Sequence, residues 1–277
     1  MSSAASSAAS SSASSSSSST STLINSSSSS SSSNSNSSTN TKKTFVFRNA
    51  VGDGACFYHA LGVILCDLRL YCSSPEIPVL QSNHMEPVNE ACLLTETSFT
   101  EIRIFLAVAC KYELDKQLIS LDATQRQTAE FVLYQLTTWS QNQRYQLSTN
   151  RSPTWWNILV YTYIWGGDAL LDLLDIWLKQ QSIPLTIICA YRLSIQEPPM
   201  LRYITGSKRF DEPVAILVHT GDHYSIYTVK GRSVFPIRHL FDSMDELATE
   251  WCYTQQTKTK LQRFLTKMQA SLEQHIQ

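Results

Sequence analysis

Residues 51–66 read VGDGACFYHALGVILC, and this stretch decides what kind of fold the chain adopts. Two glycines, Gly52 and Gly54, let the backbone bend sharply, and the apolar residues after Cys56 recur at helical spacing. Cys56 is therefore expected at the first turn of a helix that leaves a glycine-rich turn. A helix N-terminus carries partial positive charge and unpaired N–H groups, which favour a thiolate over a thiol, and the thiolate is the nucleophile. The N–H groups of residues 53 to 56 are candidate donors to a developing oxyanion. Against this stands the plainer account of Cys56 as a small buried hydrophobe beside an ordinary turn.

Upstream, Thr44–Arg48 (TFVFR) has the short apolar character of a strand. Downstream, helices are expected over about Phe99–Leu114 and Ala123–Thr138, the second capped by Asp122, and over LLDLLDIWLK after Gly166-Gly167-Asp168. Four short apolar runs follow, PLTIICAY, PVAILVH, HYSIYTV and SVFPI, which read as strands. Only Thr220-Gly221-Asp222 separates the second from the third, so those two form a hairpin with His223 at the start of its second strand. Helices first, then strands, then a helical tail from about Ser243 make an α+β arrangement.

A catalytic cysteine needs a base within hydrogen-bond reach, usually far away in sequence. The chain has six histidines. His59 is on the nucleophile's own helix and reads as a packed or surface imidazole. His219 closes an apolar strand, His84 falls in a proline-rich stretch, and His239 and His275 belong to the C-terminal region. His223 follows a Gly-Asp turn and begins a strand, a placement that can hold an imidazole at the edge of a cleft.

Asp53-Gly54-Ala55-Cys56-Phe57-Tyr58-His59-Ala60 resembles the Cys box of the ovarian-tumour (OTU) cysteine proteases. Trp165-Gly166-Gly167-Asp168, followed by an apolar helix and Ile183-Pro184-Leu185-Thr186-Ile187-Ile188, is similar to that family's central block, and His223-Tyr224 to its His box. The three blocks occur in the family's order between about Phe45 and Pro236. The resemblance implies a papain-like α+β fold, a small central β-sheet flanked by helices, and hydrolysis of peptide or isopeptide bonds at the C-terminus of ubiquitin. Ubiquitin or polyubiquitin chains would be the partners, and no cofactor or metal is implied. Carried over, Cys56 is the nucleophile, His223 the general base and Asp53 the acidic residue of the active site, with Gly54, Ala55 and Cys56 at the oxyanion hole. Trp165, Gly166 and Gly167 match a mainly structural motif. Many family members carry Asn or Asp two residues after the histidine; here that residue is Ser225, a possible orienting group for His223. Other substrates stay open, a ubiquitin-like modifier or a viral polyprotein, as does a catalytically dead ubiquitin-binding scaffold.

Tyr58, Trp155, Trp156 and Tyr224 are candidates for the walls of a narrow Gly-Gly channel, although each fits core packing as well. Cys66, Cys72, His84 and Cys92 lack the tight pairing of structural zinc ligands. Seven cysteines without a regular framework fit free thiols and a reducing, cytoplasmic or nuclear compartment. Net charge is −1 with signs intermixed, unlike the basic face of a nucleic-acid binder. No apolar run approaches the roughly 20 residues of a membrane span.

Residues 1–42 are almost all Ser, Ala, Thr and Asn. They have little apolar surface to offset an ordering cost of about 1–2 kcal/mol per residue, so a disordered tail is expected there. A catalytic domain is expected over 43–240 and a helical extension over 241–277, with the first half of that extension packed on the domain.

Overall fold

The structure, a computed structural model, describes residues 44–73, 91–92, 96–144, 154–160, 165–192, 200–205, 213–251 and 255–273. The expected disordered tail, His84 and His275 lie outside the described residues.

Strand β1 (Phe45–Ala50) leads into α1 (Cys56–Cys72). After β2 (Ala91–Cys92) come α2 (Glu96–Phe105), a π-helical stretch (Leu106–Cys110), α3 (Lys111–Leu118), α4 (Ala123–Arg144), α5 (Trp155–Val160) and α6 (Asp168–Gln180). The remaining strands are β3 (Thr186–Arg192), β4 (Met200–Thr205), β5 (Pro213–Thr220), β6 (His223–Val229) and β7 (Val234–Pro236), followed by α7 (Ile237–Asp242), α8 (Met244–Trp251) and α9 (Gln255–Glu273). The fold is α+β, as the order of elements in the sequence led us to expect.

The strands make one mixed sheet in the order β2-β1-β6-β5-β3-β4, with β7 also pairing with β5. β1 with β2 and β3 with β5 are parallel, and the other pairs are antiparallel. The runs TIICA and PVAILV are buried at every position because both faces of the sheet are covered. Strand alternation divides them between two cores. Ile187, Cys189, Ala215, Leu217, Tyr224 and Ile226 pack with α1 and the other helices before the sheet. Ile188, Ala190, Val214, Ile216, Val218 and Tyr227 pack with Ile237 and Leu240 of α7, Leu247 and Ala248 of α8, and Leu261 and Leu265 of α9. Packing thus reaches through both halves of the C-terminal segment, and the described residues belong to one compact unit.

Three local departures from the expected elements have physical causes. The helix expected over Phe99–Leu114 is continuous from 96 to 118 but widens into the π-helical stretch, with Leu106, Ala107 and Cys110 buried there. A single extra residue per turn is what such a stretch inserts, and 3.6-residue periodicity does not reveal it. α4 runs past Thr138 to Arg144, and its start is fixed as expected, the N–H groups of Thr124 and Gln125 donating to Asp122 Oδ1 at 2.8 and 3.2 Å. β4 and β2 carry no strong period of their own and were not foreseen.

Candidate active site

Cys56 opens α1, and the turn before it is held by its own side chains. Gly54 has φ +85°, a backbone conformation in which a Cβ is strained. Asp53 Oδ1 accepts the Ala55 N–H at 2.8 Å, and Asp53 Oδ2 lies 2.8 Å from His59 Nε2. Alanine at the N-cap position offers no side-chain acceptor; Asp53 takes over that work from two residues upstream. His59 is 1% exposed and one helical turn beyond the cap, so the helix carries the anchor for its own leading loop. Burial alone would raise the Asp53 carboxyl, but the hydrogen bond to His59, the Ala55 N–H and the charge of His59 together hold it below the ordinary carboxylate value.

The β5–β6 hairpin brings the second half of the site. His223 pairs with Thr220 across the turn formed by Gly221 and Asp222, and the Cys56 thiol lies 3.8 Å from the Asp222 carbonyl oxygen, to which it donates. The nucleophile candidate therefore rests against the residue that precedes His223, although the two are more than 160 positions apart in the chain. Burial pushes the Cys56 thiol above its ordinary value. The N–H groups of Tyr224 and Phe57 pull it back, and the Asp53 carboxylate adds a push upward. The helix N-terminus, expected from the sequence to favour the thiolate, is outweighed by burial in this state.

The third wall comes from residues 165–168. A Cβ on Gly166 would lie 2.0 Å from Phe57 Cδ1, so only glycine lets the chain pass this close to the residue after Cys56. That passage sets the half-exposed Trp165 indole over Gly54, while the Trp165 carbonyl accepts the Trp139 Nε1–H at 3.1 Å. Asp168 begins α6 and accepts from the Tyr224 hydroxyl at 3.5 Å. The Tyr224 and His219 rings stack at 4.2 Å, with 4° between their planes. A cleft of about 520 Å³ results, lined by Gly54, Cys56, Trp165, Asp168, His219 and His223 among others, within the size range of sites that bind small ligands.

The structure thus brings Cys56, Gly54 and His223 to one cleft. It ties Asp53 to Ala55 and His59 rather than to His223. The Ala55 N–H, expected among the oxyanion donors, donates to Asp53 Oδ1 at 2.8 Å. The hydroxyl of Ser225, buried at 3% exposure, donates to Asn49 Oδ1 at 3.1 Å. Tyr58 and Trp155 are core residues at 1% and 3% exposure, and Trp156 packs beside them, its ring under Lys111 Nζ at 4.6 Å. Of the four proposed walls only Tyr224 lines the cleft. The exposed aromatic there is Trp165. Trp165, Asp168, His219 and Asn49 were not singled out as site residues from the sequence. The glycines after Trp165 were the available signal for close packing; nothing local marks Asn49.

No family model matches the chain, and no curated protein matches it. Among solved structures it is similar to the viral OTU domain protease from Taggert virus, at 12% identity over 68% of this chain and 83% of that one, TM-score 0.37. It is also similar to an ovarian-tumour domain in complex with ubiquitin, at 10% identity over 83% and 88%, TM-score 0.33. A third is an OTU deubiquitinase from Wolbachia pipientis wMel bound to ubiquitin, at 12% identity over 69% and 99%, TM-score 0.33. Among the described residues no helix is long and apolar enough to cross a membrane.

Proposed function

We propose that this chain is a cysteine-type deubiquitinase that hydrolyses peptide or isopeptide bonds at the ubiquitin C-terminus. The observation that carries the reading is the 3.8 Å contact of Cys56 with the Asp222 carbonyl, which sets a cysteine lining the cleft against the turn that delivers His223. The order of the three sequence blocks that resemble the OTU proteases supports the choice of substrate.

His223 takes the Cys56 proton, and the thiolate attacks the carbonyl carbon of the terminal glycine of ubiquitin. The negative charge that develops on the carbonyl oxygen is met by N–H groups at Gly54 and Cys56. His223, now protonated, gives its proton to the departing lysine amine as the C–N bond breaks, leaving a thioester. Water then adds to the thioester with His223 as base, and Cys56 leaves with a proton. Burial pushes the Cys56 thiol up, so the nucleophile depends on a base beside it. Asp53 serves by holding the turn that aims Cys56.

The test is a covalent adduct, read by intact mass, between the protein and ubiquitin bearing a C-terminal electrophile. Wild type is expected to label, and Cys56→Ala and His223→Ala are not. Failure to label with ubiquitin, together with labelling by the same electrophile on a ubiquitin-like modifier, would replace the substrate; labelling that survives in Cys56→Ala would overturn the site.

A further inference from the structure

His223 needs a group that fixes its ring, and the acidic residue expected to help is engaged elsewhere. Both carboxylate oxygens of Asp53 are used within its own loop, one by the Ala55 N–H and one by His59. Among the described residues no hydrogen bond reaches the His223 ring. Ser225 shares a sheet face with His223, two residues along the strand and about 6.6 Å away, a span over which one short side chain benefits from a second group beside it. Asn49 is the residue that β1 pairs directly with Ser225; it therefore projects on the same face, at the end of β1 nearest the Cys56 turn. Its oxygen receives the Ser225 proton at 3.1 Å. A hydroxyl has one proton and two lone pairs. With the proton committed to Asn49, Ser225 is left as an acceptor, and the Asn49 carboxamide oxygen adds a second acceptor beside it.

We propose that Asn49, acting with Ser225, is the positioning residue for His223, the pair presenting to the imidazole N–H the neutral acceptor that a single Asn or Asp at position 225 would otherwise supply. The proposal rests on the assignment of Cys56 and His223 above. It assigns no chemistry to Asn49 itself, which holds the ring so that the other nitrogen meets the Cys56 thiol. Among the described residues, the other ionisable groups lining the cleft with His223 are Cys56 of α1, His219, Asp222 and Tyr224 of its own hairpin, and Asp168 of α6, with Asp53 acting on Cys56 from the loop before it. Asp168 is engaged by Tyr224. Asp222 adjoins His223 in the chain, so it and Asp168 are the charged groups whose effect the Asn49 variants must be read against.

The experiment uses the full chain and two readouts. The first needs no substrate: the rate of Cys56 alkylation by iodoacetamide between pH 5 and 9, followed at the Cys56 peptide by mass. Asn49→Ala is expected to slow alkylation at pH 6 by about tenfold and to leave the rate at pH 9 unchanged. Asn49→Asp is expected to restore the wild-type profile, as is Ser225→Asn in the Asn49→Ala background. The second readout is turnover of ubiquitin carrying a fluorogenic amide, where Asn49→Ala is expected to lower kcat by about 10- to 100-fold, short of the full contribution of a general base, with KM within about twofold. Equal thermal midpoints establish that the variants are folded; Asn49 is exposed. Superimposable alkylation profiles for wild type and Asn49→Ala would overturn the proposal, as would a wild-type profile no different from that of His223→Ala. A shifted profile in a protein that ignores every ubiquitin probe would uphold Asn49 and overturn the substrate instead.

Discussion

Asp53 and His59 are joined at 2.8 Å, a half-exposed carboxylate held by an imidazole in the core. One Asp53 oxygen accepts the Ala55 N–H and the other meets His59, so on the reading proposed above Asp53 acts by holding the backbone of residues 53–56. An Asn at 53 keeps an oxygen for the Ala55 N–H and an amide for His59. Asp53→Asn is therefore expected to retain turnover of a ubiquitin substrate within about tenfold, whereas Asp53→Ala, which removes both bonds, loses roughly 100-fold or more. Equal losses in the two variants would mean that the charge matters in itself and would return Asp53 to the side of His223.

The same pair has a pH signature. The Asp53 carboxyl sits below its ordinary value of 3.8 in the folded protein, so the folded state favours its ionised form. Its contribution to stability is complete above the ordinary value and disappears as pH falls through the lowered one. The thermal midpoint of wild type relative to Asp53→Ala is expected to hold a constant advantage from pH 8 to about 5 and to lose part of it below about pH 4. An advantage that grows toward acid would reverse the sign and refute the assignment.

Much of this architecture was legible because its strands are buried on both faces. PVAILVH and TIICAY are continuous apolar runs, and the three-residue gap before His223 forces a hairpin, so Cys56 and His223 could be paired from the sequence. The engagement of Asp53 was not legible. A carboxylate three residues before the nucleophile suits an active-site acid and a cap equally well, and only the burial of His59 decides. Asn49 was invisible because its significance depends on the β1–β6 register, a contact between residues about 175 positions apart that no local pattern encodes.

Gly166 is the most constrained position near the site. An added methyl would sit 2.0–2.6 Å from three atoms of Phe57, and Phe57 is 1% exposed and in edge contact with Tyr58 and Tyr224. Gly166→Ala is expected to cost about 1–3 kcal/mol from overpacking, measured by denaturant unfolding. Because Phe57 follows Cys56, it should also reduce labelling by electrophilic ubiquitin in protein that remains folded. Phe57→Leu in the same chain makes room and should recover part of the loss. A wild-type unfolding curve for Gly166→Ala would show that the 165–168 segment shifts freely.

The C-terminal helices share the core of the sheet. Leu261 and Leu265 of α9 are 3% and 0% exposed and pack with Ile188, Val214 and Phe235. Truncating a buried leucine to alanine costs about 2–5 kcal/mol, and Leu265→Ala is expected in that range by thermal or denaturant unfolding. A chain ending at Asp242 keeps α7 but uncovers the part of the back face that α8 and α9 cover, and it should be recovered mainly as aggregate. A soluble, cooperatively unfolding fragment 43–242 would instead make the last two helices an independent appendage.

Trp165 is the test of how the cleft recognises what enters it. Its indole is 44% exposed and stands beside Gly54, near enough that a methyl on that glycine would touch the ring nitrogen at 3.6 Å. The Trp139 bond goes to the Trp165 backbone carbonyl, which Trp165→Ala keeps, so this variant should fold with an unchanged thermal midpoint. The indole and the Gly54 backbone form one side of the passage to Cys56. A flat wall over a glycine turn admits a chain without side chains at its last residues and disfavours a branched one. Trp165→Ala is accordingly expected to raise KM for a Gly-Gly-terminated ubiquitin substrate by about tenfold while changing kcat little, and to narrow the preference over a substrate ending in Gly-Ala. If kcat falls and KM does not, the indole is holding the Gly54 turn in its reactive shape, and the wall must be sought in Tyr224 and His219, which also line the cleft.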